Sequence, residues 1–204
     1  ACLRSESVEV AIGIRAVLLL VLLAIAPSTS ESQVTVGAFT FGAASDPITD
    51  RDESRIWTHE LEPAPLRNAQ LAWRCDGPER LEVFVAADEF LDNEGRVSVV
   101  WRFDRQAPSS AEQWSVSTRG TGAFAPRPSL LPFTDAARAS NRLVMRVTDY
   151  RGVDHDLSFS LNGFSATFAR LPCAGVVEVL RGEPGLARLK QIEDAEIARK
   201  RAIE

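Results

Sequence analysis

Histidine is the side chain best suited to acid–base or metal chemistry near neutral pH, and this chain has two, His59 and His155. The triplet Asp154-His155-Asp156 could bind a metal or share a proton, because two carboxylates flank the imidazole. The triplet enters a predicted strand, however, where successive side chains point to opposite faces. His155 would then lie opposite both carboxylates. His59 has no Cys or His at ligand spacing, so we expect it on the surface or at a sheet edge.

The other patterns that could do chemistry are incomplete. Asp88, Glu89, Asp92 and Glu94 form an acidic cluster, but their spacing does not match the DxDxDG loop of calcium sites, and turn carboxylates are usually solvated. The stretch Arg119-Gly120-Thr121-Gly122 lacks the GxxxxGK pattern of a phosphate loop, and no GxSxG elbow occurs. The sequence therefore predicts no catalytic residue, no metal and no cofactor.

Four tryptophans, Trp57, Trp73, Trp101 and Trp114, could form a carbohydrate-stacking surface or fill a core. Trp101 shares the apolar register of its predicted strand, which favours the core. Trp57 is the best candidate for an exposed ring.

Composition argues against nucleic acid as a partner. The 204 residues carry a net charge of −5, with an isoelectric point near 5.2. Domains that bind nucleic acid normally have a basic excess or a basic face. The length suits one domain with short extensions.

The amino terminus has the pattern of an export signal. An uninterrupted apolar run, Ala16 to Ala26, is followed by small and polar residues. As a helix it would be about 16 Å long, too short for a hydrocarbon layer of about 30 Å. We interpret residues 1–30 as a signal peptide and expect a periplasmic or secreted protein. A short buried helix and a retained membrane anchor are the alternatives, and the protein would touch a membrane only through an uncleaved leader.

Cysteine usage agrees with export. Cys2 lies in the predicted leader, which leaves Cys75 and Cys173 in the mature chain. In an oxidising compartment these two should form a disulfide. Two separate buried thiols are the alternative.

Period-two alternation dominates the middle of the chain. It predicts strands at Gln33 to Phe41, Leu81 to Ala86, Arg96 to Asp104, Asn141 to Thr148 and Asp154 to Asn162. Short helices are expected at Ser129 to Ala139 and Phe164 to Leu171, and Asp92 to Gly95 is expected to form a hairpin loop. The sequence thus predicts a mainly β protein: an antiparallel β-sandwich over residues 31–175, followed by a C-terminal helical extension, 176–204, that is either solvated or docked on a partner.

Four segments in this order resemble exported type VI secretion accessory proteins of the VasI/TagO kind. They are Leu71-Ala72-Trp73-Arg74-Cys75, Trp101-Arg102-Phe103-Asp104, Trp114-Ser115-Val116-Ser117-Thr118 and Phe168-Ala169-Arg170-Leu171-Pro172-Cys173. The resemblance spans about residues 36 to 175 and implies a periplasmic, non-enzymatic β-sandwich that assists the envelope part of a contractile secretion apparatus. Phe39 and Phe41 depart from it, because the family often has Trp there.

The expected binding surface is the outer face that carries Arg102 and Asp104, with Trp114, Ser115 and Ser117 beside it. These polar side chains could instead simply pair with neighbouring strands. We expect an envelope accessory or scaffold protein, with a protein of the cell envelope or peptidoglycan as its partner. A glycan- or peptidoglycan-binding module is the second hypothesis, and an exported hydrolase is the third.

Overall fold

A computed structural model describes residues 33–61, 66–92 and 95–182. The predicted leader and most of the predicted C-terminal extension lie outside these ranges. The strands are β1 (Gln33–Val36), β2 (Phe39–Gly42), β3 (Arg55–His59), β4 (Gln70–Cys75), β5 (Leu81–Ala86), β6 (Arg96–Phe103), β7 (Glu112–Val116), β8 (Gly122–Phe124), β9 (Arg142–Thr148) and β10 (Asp154–Ser160). The helices are α1 (Arg127–Ala139), α2 (Phe164–Phe168) and α3 (Val176–Arg181). None of these three helices has the length and apolar character needed to span a bilayer.

The mainly β, antiparallel fold predicted from the sequence is confirmed. All ten strands belong to one antiparallel sheet, in the order β1-β2-β3-β4-β5-β8-β7-β6-β9-β10. The sheet curls until β10 meets the end of β3, where the Leu61 N–H donates to the Ser158 carbonyl over 2.9 Å and Glu60 bridges to Phe159. The two halves of the sheet therefore enclose a core between them, as the two layers of a sandwich do.

Side chains alternate between an inner face, which lines this core, and an outer face. Helix α1, close to the helix predicted at Ser129 to Ala139, fills the interior with Phe133. The Phe133 ring lies 5.1 to 5.9 Å, centroid to centroid, from the rings of Trp73, Trp101, Phe103 and Trp114. Trp73 belongs to the first half of the sheet and Phe103 to the second. Both halves therefore pack on the same helix.

The predicted disulfide between Cys75 and Cys173 is present and joins the end of β4 to the loop after α2. In the chain-entropy model, closing a loop of about 100 residues contributes up to about 4.7 kcal/mol. Helix α2 places Phe164 with its ring centroid 4.5 Å from that of Trp73 and 5.3 Å from that of Phe39. The disulfide thus holds α2 against the first half of the sheet.

Residues 33 to 41 form two strands rather than the one predicted. Gly37 has a φ of 60°, which lets the chain reverse between β1 and β2. A Cβ atom on Gly37 would lie 2.5 Å from the Asn162 carbonyl oxygen, and one on Gly163 would lie 2.0 Å from the Val36 carbonyl oxygen. The two turns are therefore interlocked at backbone distance.

The predicted hairpin at Asp92 to Gly95 is wrong, because the strands on either side of it do not pair. β5 pairs with β4 and β8, whereas β6 pairs with β7 and β9. The short pair β7–β8 stands between them, so the chain crosses to a different part of the sheet after β5.

Candidate functional site

The binding surface predicted from the sequence does not assemble. Trp114 is fully buried against Phe133, so it is a core residue and cannot contact a partner. Ser115 lies opposite Arg96, at the start of β6, whereas Arg102 lies near its end. Arg102 lies six positions after Arg96 along the strand, which is about 20 Å. Arg102 and Ser115 are exposed on the same outer face but too far apart to form one site.

Asp104 and Ser117 serve the fold. Asp104 follows β6 with a φ of 46°, and its carboxylate accepts hydrogen bonds from the backbone N–H groups of Asn141 and Arg142 over 3.1 and 2.9 Å. It thereby fixes the start of β9. The Ser117 hydroxyl accepts a hydrogen bond from the Gly122 N–H over 3.1 Å and closes the turn between β7 and β8.

The two histidines differ in burial and lie on different strands. His59 is exposed on β3. His155 is buried and lies opposite the exposed Asp154 and Asp156, as alternation predicted. Its Nε2 is 3.1 Å from the Oδ2 of Asp149, a partner that the sequence reading missed because it lies in the turn after β9. No group of three His, Cys, Asp or Glu side chains within the described residues could hold a metal.

Asp149 organises the turn between β9 and β10. Its Oδ1 accepts hydrogen bonds from the N–H groups of Arg151 and Val153, and its Oδ2 accepts them from the Arg151 guanidinium and interacts with His155. Burial alone would raise the pKa of Asp149, but these hydrogen bonds outweigh it and hold the pKa well below its usual range. The carboxylate is fully engaged, so we assign it to structure rather than catalysis.

A row of aromatic side chains crosses the outer face of the sheet. Trp57 of β3 lies opposite Ala72 of β4, Ala72 lies opposite Phe84 of β5, and Phe84 lies opposite Phe124 of β8. All three aromatic residues are half-buried, and the rings of Phe84 and Phe124 are 5.1 Å apart. We call Trp57, Phe84 and Phe124 the aromatic row.

Two arginines lie over the aromatic row. The Arg55 guanidinium is 4.9 Å from the centroid of the Trp57 ring, and the Arg74 guanidinium is 5.5 Å from Phe84 and 5.8 Å from Phe124. Arg74 is fixed by a 2.5 Å ion pair with Glu82. A guanidinium over a ring can pack its stem on the ring and still direct N–H donors at a ligand. Arg55 is in this position, whereas Arg74 already uses two donors on Glu82.

The Trp57 ring lies across the neighbouring strand. A Cβ atom on Gly42 of β2 would be only 3.1 Å from this ring, so a larger residue there would push the ring outward. Beside the ring is a shallow depression lined by residues that include Gln33, Arg55 and Arg74. Flat rings next to guanidinium and amide donors can hold the apolar face of a sugar or of a partner side chain while the polar groups bind its oxygens.

Sequence reasoning found only one member of this row. Trp57 was predicted as the candidate exposed ring, and the structure places it on the outer face. Alternation along the strand predicted at Leu81 to Ala86 also places Phe84 on the face opposite Leu81, Val83 and Val85, as the structure has it. Its position beside Phe124 depends on the pairing of β5 with β8, which alternation within one strand cannot reveal.

Comparison with known proteins leaves the family open. No family model matches the chain, and no curated protein matches it. Among solved structures, the chain is similar to invasion associated protein B from Bartonella henselae, with a TM-score of 0.46 and 15% sequence identity over 68% of this chain and 94% of that one. The resemblance to VasI/TagO proteins is not confirmed by these findings. The function of this chain has to be inferred from its own residues.

Proposed function

We propose that the protein is an exported, non-enzymatic accessory or scaffold protein of the cell envelope that acts by binding a partner. The aromatic row with Arg55 and Arg74 carries the proposal, because aromatic and arginine side chains dominate the energetics of binding surfaces. The disulfide supports an extracytoplasmic location, since such bonds persist in oxidising compartments. The association with a type VI secretion system rests on the sequence resemblance alone.

Cross-linking in intact cells, followed by affinity purification from envelope extracts, tests this proposal. The wild type should recover an envelope component, and a double variant, Trp57→Ala with Arg55→Ala, should lose it. Arg146→Ala, on the outer face of β9, is the matched control and should retain it. Recovery of the same proteins by all three forms would dismiss the aromatic row as the binding surface. If no secretion component is recovered, the type VI association fails.

Thiol labelling of cells tests the location. Cys75 and Cys173 should resist a thiol reagent until a reductant is added, because both are in the disulfide. A chain that reacts fully without reductant would contradict export.

A glycan- or peptidoglycan-binding module is the second candidate. The observation that favours it is the alignment of Trp57, Phe84 and Phe124 across several strands, which suits stacking on successive sugar rings. The protein should then co-sediment with cell-wall sacculi, and glycan should change the fluorescence of Trp57. Comparison with Trp57→Ala isolates this change from the signals of Trp73, Trp101 and Trp114. Unchanged fluorescence and no co-sedimentation would dismiss the module.

A further inference from the structure

Two exposed aromatic side chains stand together at the end of the sheet where β9 turns into β10. Phe90 is 44% exposed and Tyr150 is 56% exposed, and their rings meet edge to face with centroids 5.5 Å apart. The Arg151 guanidinium lies over the Tyr150 ring, 5.4 Å from its centroid. Neighbouring exposed rings form an apolar patch, and such a patch is a candidate binding surface.

The pair is held by backbone contacts between three loops. The Tyr150 N–H donates to the Leu91 carbonyl over 2.8 Å, and the Leu91 N–H donates to the Gly120 carbonyl over 2.6 Å. Gly120 has a φ of 73°, and a Cβ atom there would lie 2.2 Å from the Phe90 ring. Phe90 therefore lies directly on the backbone of the β7–β8 turn. The three loops therefore hold the backbone of Phe90 and Tyr150 side by side.

Tyr150 forms one wall of a polar depression of about 320 Å³. This is at the lower end of the volumes of ligand pockets, about 300 to 1,000 Å³. Its floor is a row of outer-face side chains, in which Thr148 of β9 lies opposite Ser98 of β6 and Ser98 lies opposite Gln113 of β7. Arg96 stands at the rim, two residues before Ser98 on the same face.

Three of these polar groups are available to a ligand. Within the part of the chain that the structure describes, the Ser98 hydroxyl, the Gln113 amide and the Arg96 guanidinium form no hydrogen bond or ion pair with another side chain. They present donors and acceptors for hydroxyl groups beside an aromatic wall. The charges near the depression are mixed, with Arg96 and Arg151 against Asp92 and Asp149, so the site has no excess charge with which to select an ion.

We propose that this depression binds a neutral pyranose unit of a glycan. The C–H face of the sugar packs on Tyr150, and its hydroxyls bond to Gln113, Ser98 and Arg96. An aromatic wall joined to amide, hydroxyl and guanidinium groups matches a compact ring with an apolar face and a polar rim. This inference rests on the second proposed function, the glycan-binding module, and assigns it a site.

The depression also continues the line of the aromatic row. Phe124 lies opposite Ser115, and Ser115 lies opposite Arg96 at the rim. From Trp57 to Arg96 the sheet has five steps between neighbouring strands, a path of about 24 Å. Because the sheet curls around its core over this distance, the aromatic row and the depression are separate surfaces, and the proposed sugar site is the depression alone.

Calorimetric titration of the oxidised full chain with soluble hexasaccharides, and co-sedimentation with cell-wall sacculi, test the site. The soluble probes are hexamers of N-acetylglucosamine, cellohexaose and maltohexaose. We expect the wild type to bind at least one of these probes. Tyr150→Ala should weaken that binding about tenfold or more, as expected when an aromatic anchor is lost. Gln113→Ala, at an exposed position, should also weaken it, and this variant keeps the test valid if Tyr150→Ala fails to fold.

Arg105→Ala is the matched control for Arg96→Ala, because Arg105 is exposed beyond the opposite end of β6. It should bind as the wild type does, whereas Arg96→Ala should bind less tightly. If the wild type binds a glycan and Tyr150→Ala and Gln113→Ala bind it equally well, the depression is not the site, although the glycan-binding function stands. If the wild type binds neither the hexasaccharides nor the sacculi, the site and the glycan-binding function both fail, while the envelope pull-down still decides the scaffold proposal.

Discussion

The outer face of β3, β4, β5 and β8 and the outer face of β9 and β10 use their charged side chains in different ways. On β9 and β10 the cations meet carboxylates of the same sheet: Arg146 makes two 2.7 Å hydrogen bonds to Asp156, and Asp154 accepts another from Thr148. The Arg146 hydrogen bond and charge lower the pKa of Asp156. Near the aromatic row the arrangement is mixed: Arg74 is paired with Glu82, whereas Arg55 lies over the Trp57 ring.

Arg146 therefore has a carboxylate partner on its own face, whereas the donors of Arg55 are available to a binding partner. Half-buried rings next to guanidinium donors are what a ligand would need. Substitutions that affect the two faces together or separately therefore test whether the distinction is real.

Phe133→Ala should have the largest effect, and it should affect both faces equally. The ring contacts Trp73 in one half of the sheet and Trp101, Phe103 and Trp114 in the other. Removing a fully buried phenylalanine costs about 3 to 5 kcal/mol. Urea denaturation measures the loss, with the exposed substitution Val179→Ala as the control. A loss below about 1 kcal/mol would mean that the two halves do not depend on a common core.

Replacing Cys75 and Cys173 together by serine should lower the free energy of unfolding by about 2 to 5 kcal/mol. The effect should be unequal, because the disulfide holds α2 against β1 and β2. Hydrogen exchange should therefore rise more in α2, β1 and β2 than in β9 and β10. Reduced wild type should behave like the variant. If hydrogen exchange increased equally in all strands, the disulfide would not stabilise α2, β1 and β2 more than β9 and β10.

Asp149→Asn should cost about 1 to 3 kcal/mol, because it weakens the hydrogen bonds of a buried carboxylate. The pKa of Asp149 is lowered in the folded state, so the carboxylate contributes stability that is present above its unfolded pKa of about 3.9 and is lost as the pH falls towards the folded value. The wild type should thus lose stability in acid more steeply than Asp149→Asn. Chemical denaturation at pH 7 and at successively lower pH measures this difference, and parallel curves would contradict it.

Arg146→Ala and Arg55→Ala should have the smallest effects on stability, and they should differ in kind. Arg146 is half exposed, so its ion pair with Asp156 contributes little to stability, and that contribution weakens as salt is added. Arg55→Ala should leave stability almost unchanged yet reduce partner or glycan binding. Thermal melts at two salt concentrations, together with the binding assays above, measure both properties. A loss of binding in Arg146→Ala alone would reverse the assignment of the two faces.

The features that the sequence predicted correctly are local. Alternation along β5 and β10 placed Leu81, Val83 and Val85 inside and put His155 opposite Asp154 and Asp156. The same alternation in β7 buries Trp114. The prediction that Trp114 belongs to a binding surface came from the family resemblance and did not take this alternation into account. The disulfide between Cys75 and Cys173 could be predicted because only two cysteines follow the predicted leader and the predicted compartment is oxidising.

The features that the sequence could not supply depend on strand order. The aromatic row exists because β8 lies beside β5, and the glycan depression exists because β7, β6 and β9 are neighbours in that order. Nothing in the sequence of β5 indicates that it pairs with β8. The polar loop that follows β5 suggested a hairpin with β6 instead. The contact of Asp149 with His155 likewise depends on a turn whose shape follows from the hydrogen bonds it makes.

The close approach of Gly37 and Gly163 gives a way to search for homologues. At each position a Cβ atom would overlap a backbone carbonyl group, and each position has a positive φ. Substitution at one of them cannot be compensated by a smaller neighbour, because the obstructing atoms belong to the main chain. Any relative that keeps this closure with loops of the same length should have glycine at both places, 126 positions apart and each in a turn, however far the remaining residues have diverged.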